Sequence, residues 1–203
     1  MDGNQKMPHS RNLRKGRYSS SLEIYLITAV TWNRTPVFAD IWAGRKVVQV
    51  MRDYQRSAET LCYVIMPDHV HWLFQLLPGY SLSQVVGGVK RNSAYRVNRY
   101  LNRQNRLWQD GFHDRALRRD EDMKSMARYI VANPLRAGLV SDIGNYPLWD
   151  APGCDWRRSP MGRSWHPASR DIIARDGVYP ALCQEQSRGS TPLYVNRLPQ
   201  NRF

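Results

Sequence analysis

The order of strand and helix signals along these 203 residues predicts an α+β fold, an antiparallel sheet with helices packed on one side. Three observations carry that prediction. Short runs rich in β-branched and aromatic residues alternate with longer stretches of helix-spaced apolar residues. Two of the strand-like runs are separated only by a tight reversal, which makes them a hairpin. The segments fall in the order strand, helix, strand, strand, helix, strand, with one more helix after it, which is a ferredoxin-like arrangement.

Taken in chain order, residues 1–20 form a basic arm, with five Lys or Arg and Asp2 as the only acid, and without the apolar core of a secretory signal. SLEIYLITAVTW, from Ser21 to Trp32, is dense in strand-forming residues. Ile41 to Arg56 places Ile41, Val47, Val48, Val50, Met51 and Tyr54 at helical spacing. LCYVIMP (61–67) and HVHWLFQLL (69–77) are strand-like and joined by MPDHV; Pro78-Gly79 ends the second. Ser81 is placed to cap a long helix, SLSQVVGGVKRNSAYRVNRYL, in which Gly87 and Gly88 each cost about 1 kcal/mol relative to Ala.

LWQDGFHDRALR (107–118) reads as a turn at Asp110-Gly111 followed by a strand. Asp120 then caps DEDMKSMARYIVANP, a helix with acids in its first turn and Met123, Met126, Ala127, Ile130 and Val131 on its apolar face. Past Pro147 the periodicity stops. Residues 151–203 hold six prolines, eight arginines and four acids and read as a mostly irregular basic tail. The organisation expected is therefore an arm (1–20), one domain (21–150) and a tail (151–203).

Composition narrows the partners. Hydrophobic residues make up 42%, enough for a packed core, and 30 Lys and Arg against 17 Asp and Glu give a net charge of +13. A field of that sign suits a polyanion, either nucleic acid or an anionic membrane surface. No apolar run approaches the ~20 residues of a membrane-spanning helix. Cys62, Cys154 and Cys183 are odd in number and far apart, so no disulfide framework is expected, and a reducing cytoplasm is the expected compartment.

The sharpest local signal is Asp68-His69-Val70-His71. Alternate residues on a strand share a face, so His69 and His71 project side by side while Val70 and Trp72 point into packing. Two adjacent imidazoles are natural metal ligands; they are also compatible with two ordinary histidines. A His pair leaves a divalent ion under-coordinated, so a third ligand is needed. Tyr129 and Asn133 stand four apart, on one helical face. Asn133 can offer a carbonyl oxygen and Tyr129 a nucleophilic hydroxyl, although a core tyrosine and an Asn-Pro helix terminator would read the same.

Basic residues interleave with aromatics at Lys90, Arg91, Tyr95, Arg96, Arg99 and Tyr100, then at Arg103, Arg106, Trp108, Arg115, Arg118 and Arg119. Such a pattern neutralises phosphates and stacks unpaired bases, or simply solvates a helix. Phosphate-binding loops, dinucleotide fingerprints, serine-hydrolase elbows and zinc-finger spacings are absent.

YVIMPDHVHWLF, the long basic helix, LWQDGFHDRALRRDED and ARYIVANPLRAGLV together resemble the REP-associated tyrosine transposases, within the single-tyrosine HUH nucleases. The resemblance runs from about Tyr18 to Trp149. It implies the HUH nuclease fold, His69, His71 and Asn133 as ligands of Mg2+ or Mn2+, and Tyr129 as the nucleophile. It also implies single-stranded DNA with palindromic, REP-like hairpins as the substrate, cut and rejoined through a 5′-phosphotyrosine by a monomer or homodimer in the bacterial cytoplasm, at the nucleoid. DNA contacts are expected from Arg14, Lys15 and Arg17 of the arm and from Lys90, Arg91, Arg96, Arg115, Arg118 and Arg119. The metal and Arg128 are the candidates for easing loss of the phenolic proton. The alternative is a non-catalytic module resembling an RNA-recognition domain, although its aromatic signature is missing. A two-histidine-motif phosphoesterase would need a second pair, which His9, His113 and His166 do not form.

Overall fold

A computed structural model of the chain describes residues 21–117 and 120–152. The arm, Arg118, Arg119 and the tail lie outside these residues, and with them the DNA contacts expected of Arg14, Lys15 and Arg17.

The described chain runs β1 (Ile24–Val30), α1 (Ile41–Asp53), β2 (Ala58–Met66), β3 (His69–Leu76), α2 (Leu82–Tyr100), β4 (His113–Leu117), α3 (Asp120–Val131), the single helical turn α4 (Asn133–Arg136) and the short β5 (Trp149–Asp150). The strands form one sheet in the order β4-β1-β3-β2-β5 with every neighbouring pair antiparallel. The first four strands have the ferredoxin-like order expected from the sequence. Strand β2 starts earlier than its apolar run, because a bulge between Thr60 and Cys62 lets Ala58–Thr60 pair with Phe74–Leu76 although the alternation breaks there.

Register divides the sheet into two unlike faces. Residues directly opposite one another share a face, so His113, Thr28, His71 and Val64 form one row, and Val30, His69 and Met66 the next. Tyr63, Ile65, Val70, Trp72 and Phe74 point the other way and are all buried. Helix α1 covers this second face. Trp149 pairs with Val64 on the histidine side, so Leu148 points oppositely, and it lies so close to α1 that a Cβ at Gly44 would collide with it. Helix α2 returns the chain from β3 to β4 and packs on α1. Asn92 donates to the Tyr54 hydroxyl (3.2 Å), and a Cβ at Gly88 would meet that same ring, which is why the helix carries glycine there.

Helix-packing on one side therefore holds for α1 and α2. Helix α3 lies on the other face, over β2: Cys62, on the histidine side by register, donates its thiol to the Ala127 carbonyl at 3.9 Å. Among the described residues no helix is long and apolar enough to cross a membrane.

The caps follow the sequence. Ser81 accepts from the Gln84 amide while the Gln84 side chain accepts from the Ser81 backbone, a reciprocal capping box. Asp40 accepts from the amides of Trp42 and Ala43 to start α1. Helix α3 begins at Asp120 itself, so any cap falls on residues outside the described set.

Candidate active site

The β2–β3 hairpin places the histidines. Met66 pairs with His69, leaving Pro67 and Asp68 as the turn. That turn is pinned from β1 and the segment after it. The Thr31 amide and hydroxyl both donate to the Asp68 carbonyl (2.8 Å each), and the Phe38 amide donates to the Pro67 carbonyl (2.9 Å). His69 and His71 then leave the strand on one face, with ring centroids 4.8 Å apart and planes at 84°. His69 is buried, and His71 is partly covered.

Each imidazole is held through Nδ1. His69 Nδ1 lies 2.6 Å from Asp68 Oδ1, and His71 Nδ1 lies 2.9 Å from Thr28 Oγ1. Asp68 in turn accepts from Arg34 at 3.2 Å. Burial opposes ionisation of Asp68, but the hydrogen bond and charge of His69, together with Arg34, outweigh it and hold the carboxyl below its ordinary range. A carboxylate can only accept, so the His69 Nδ1 carries a proton toward Asp68, and Nε2 is the ring nitrogen left for a ligand's role. Burial, then the charges of His69 and Arg136, push His71 well below the ordinary histidine range despite the opposing pull of Asp68. It is a neutral imidazole at physiological pH.

Helix α3 and the turn α4 pack against β2 beside this pair. Pro134 has no amide proton, so the Ile130 carbonyl one turn earlier loses its helical donor. The Asn133 side chain replaces it: Nδ2 donates to the Ile130 carbonyl (2.9 Å) and reaches the Tyr129 carbonyl (3.4 Å). Those carbonyls accept only, so the amide is fixed with its NH2 inward and Oδ1 outward. The helix-terminator and ligand readings of Asn133 are thus compatible. Oδ1 accepts from Arg136 Nη2 at 2.7 Å, and the same guanidinium lies over the Tyr129 ring, 3.8 Å from its centroid. The charge of Arg136 also reaches His71, so one cation touches Asn133 and Tyr129 and lies within electrostatic range of that imidazole.

Of the other candidates, Lys90 donates to the carbonyls of Gln109 and Gly111, so it braces the segment before β4 rather than offering a bare charge. Arg96 pairs with Asp53 at 2.5 Å. Arg91 is exposed and lines a cavity of about 650 Å³ between α2 and residues 105–113, together with Trp108, His113 and Thr28. Arg115 sits on the histidine face of β4 by register with Leu26. Arg106 stacks on the exposed Trp32 ring at 4.3 Å. Sequence reading missed Thr28 and Arg136. Thr28 is 43 residues from His71 and meets it only through strand register, whereas Arg136 stood in plain view inside YIVANPLRAGLV.

A model of the family described as "Transposase IS200 like" matches residues 19–133, more than half of the chain. The chain belongs to this transposase family. Among curated relatives, the REP-associated tyrosine transposase of Escherichia coli (strain K12) is 26% identical over 103 residues, covering 50% of this chain and 58% of that one. The ISDra2 transposase TnpA of Deinococcus radiodurans is 32% identical over 88 residues, covering 42% of this chain and 61% of that one. The chain therefore spans about three-fifths of the length of these relatives. A solved REP-associated tyrosine transposase bound to a REP hairpin shares the fold, with a TM-score of 0.54 at 23% identity over 66% of this chain and 79% of that one.

Proposed function

We propose that this protein is a metal-dependent single-strand DNA endonuclease and strand transferase acting on REP-like hairpins, with Tyr129 as its nucleophile. What supports the reading is that His69 and His71 project from one face of β3 and that the Asn133 amide is fixed with its oxygen toward Arg136. Asp68 accepts from His69 Nδ1 and Thr28 holds His71 at Nδ1, so in both rings Nε2 is the nitrogen left for a metal. Asn133 Oδ1 is turned outward and already attracts a positive charge. Among the described residues no three His, Cys, Asp or Glu side chains are grouped to hold a metal; the third donor proposed is the amide oxygen of Asn133. The donor set of two imidazole nitrogens and one amide oxygen fits Mn2+, and Mg2+ at cellular concentration. Such an ion would polarise the scissile phosphate and offset its developing charge.

The protein's own part is the attack. The Tyr129 phenolic oxygen forms a bond to phosphorus as the bond to the departing 3′ oxygen breaks, leaving a 5′-phosphotyrosine and a free 3′-hydroxyl. The proton given up by the phenol balances the one gained by the 3′ oxygen. The adduct conserves the phosphodiester's energy, so a 3′-hydroxyl can reverse the step and join new ends without a nucleotide cofactor. A hairpin substrate is supported by the REP hairpin bound to the similar solved transposase, and a single-stranded flank by the net positive charge and by the exposed Arg91 beside the α2 groove.

The test is a labelled palindromic oligonucleotide incubated with Mg2+ or Mn2+ and run on a denaturing gel. Wild type should nick and form a protein–DNA adduct. Tyr129→Phe should lose both by at least about a thousandfold while still binding the hairpin. Undiminished nicking by that variant overturns Tyr129 as nucleophile. Salt-sensitive binding without any cutting by wild type favours the non-catalytic module.

A further inference from the structure

The Arg136 guanidinium holds two catalytic candidates at once. Its Nη2 donates to Asn133 Oδ1 at 2.7 Å, and its carbon lies 3.8 Å from the centre of the Tyr129 ring. The positions follow from local structure. Asn133 and Arg136 bound the single turn α4, three residues apart and so on one side of it, and Tyr129 stands a turn before Asn133. The amide cannot turn away, because its NH2 end replaces the donor that Pro134 lacks at the Ile130 carbonyl. Oδ1 is therefore presented permanently, and in this structure a guanidinium receives it.

We propose that Arg136 is a positioning residue that holds Asn133 Oδ1 and clamps the Tyr129 ring, and that a divalent cation at the His69–His71 pair has to compete with it for that oxygen. The proposal rests on the metal-and-tyrosine reading above and adds competition for one ligand atom. A divalent ion binds an amide oxygen at roughly 2.1 Å. A guanidinium hydrogen-bonded to the same oxygen then faces two positive charges at close range in a partly desolvated site, where the repulsion is poorly screened. The oxygen has a second lone pair, but the repulsion makes the two cations compete for it. The displaced guanidinium remains tethered on α4 beside Tyr129, where a DNA phosphate offers it a planar, bidentate anionic partner. Substrate and metal binding are thereby coupled, since each takes one of the partners that the other leaves.

The experiment is Mn2+ titration of the full chain without DNA, read by electron paramagnetic resonance. Arg136→Ala should bind Mn2+ about tenfold more tightly than wild type, the scale of one lost charge-assisted hydrogen bond. Arg136→Lys, which keeps a cation but cannot fork, should tighten binding by less, and it serves if the alanine variant does not fold. In an Asn133→Ala background, Arg136→Ala should gain clearly less, because the contested oxygen is gone and only the arginine's charge on His71 is relieved; an equal gain in both backgrounds overturns the competition. Added hairpin DNA should tighten Mn2+ binding in wild type and less so in Arg136→Ala. Unchanged or weaker Mn2+ binding by Arg136→Ala and Arg136→Lys, in a protein whose binding is lost on His71→Ala, overturns the competition while leaving the metal site standing. Mn2+ binding indifferent to His71→Ala removes the metal site, and the competition with it.

Discussion

The two faces of β3 differ by one residue in register and by everything in chemistry. Val70, Trp72 and Phe74 project toward the α1 side, where Trp72 stacks on Phe74 at 4.1 Å between centroids and donates its indole proton to Thr60 at 3.0 Å. His69 and His71 project toward α3, each held by an oxygen of a neighbouring residue. The first face is sealed for stability; the second is polar, partly open and ringed by Arg34, Arg136 and Asn133. One strand can serve both because its side chains alternate with period 2. Substitutions on the two sides should therefore fail in different assays.

The largest effect belongs to the packed side. Trp72→Ala should cost about 3–5 kcal/mol in urea unfolding, the usual range for a buried aromatic, with residual folded protein still binding Mn2+. Equal stability of that variant would dissolve the contrast. Next, Asp68→Asn should weaken Mn2+ binding by about 10–100-fold, as loss of a second-layer partner of a metal-bound histidine does, while the unfolding midpoint moves little. A large stability loss without a metal effect would make Asp68 a turn residue only.

The smallest effect is a pH signature of the packed side. Burial first, then the Asp150 charge, push the Tyr63 hydroxyl from 10.0 up to about 12. The unfolded chain loses that proton near 10 and the folded chain does not, so the folded state binds more protons and stability falls as pH rises from about 10 toward 12. By pH 11 the loss should be roughly 1 kcal/mol, and Tyr63→Phe should flatten that part of the curve. Parallel curves for wild type and Tyr63→Phe would show the hydroxyl to be solvated.

The contrast also explains what could be read in advance. The β1, β3, α1 and α2 segments were legible because burial on one side imposes a period, and Ser81-Gln84 and Pro78-Gly79 mark their ends chemically. His69 and His71 were legible for the same reason, as a period-2 pair. Strand β5 was not. Two residues carry no period, and they are held by long-range bonds instead: the Ile65 amide to the Leu148 carbonyl (2.8 Å) and the Tyr146 hydroxyl to the Ile65 carbonyl (2.7 Å). Thr28 looked like one more strand residue because its partner is set by register. Lys90 looked like a phosphate contact, yet its ammonium is committed to main-chain carbonyls, which no composition argument distinguishes from a free charge. The guanidinium on Tyr129 comes from Arg136 rather than from the neighbouring Arg128, because the short turn after Pro134 folds it back.

The Pro67-Asp68 turn reverses the chain in two residues, and its acid also orients His69. Its length is therefore locked. Adding a single residue there would rotate β3 by one step, sending both imidazoles to the α1 side and the indole of Trp72 to the α3 side. Tags, linkers or grafted loops belong elsewhere on this scaffold, because lengthening this turn by one residue would dismantle the paired imidazoles.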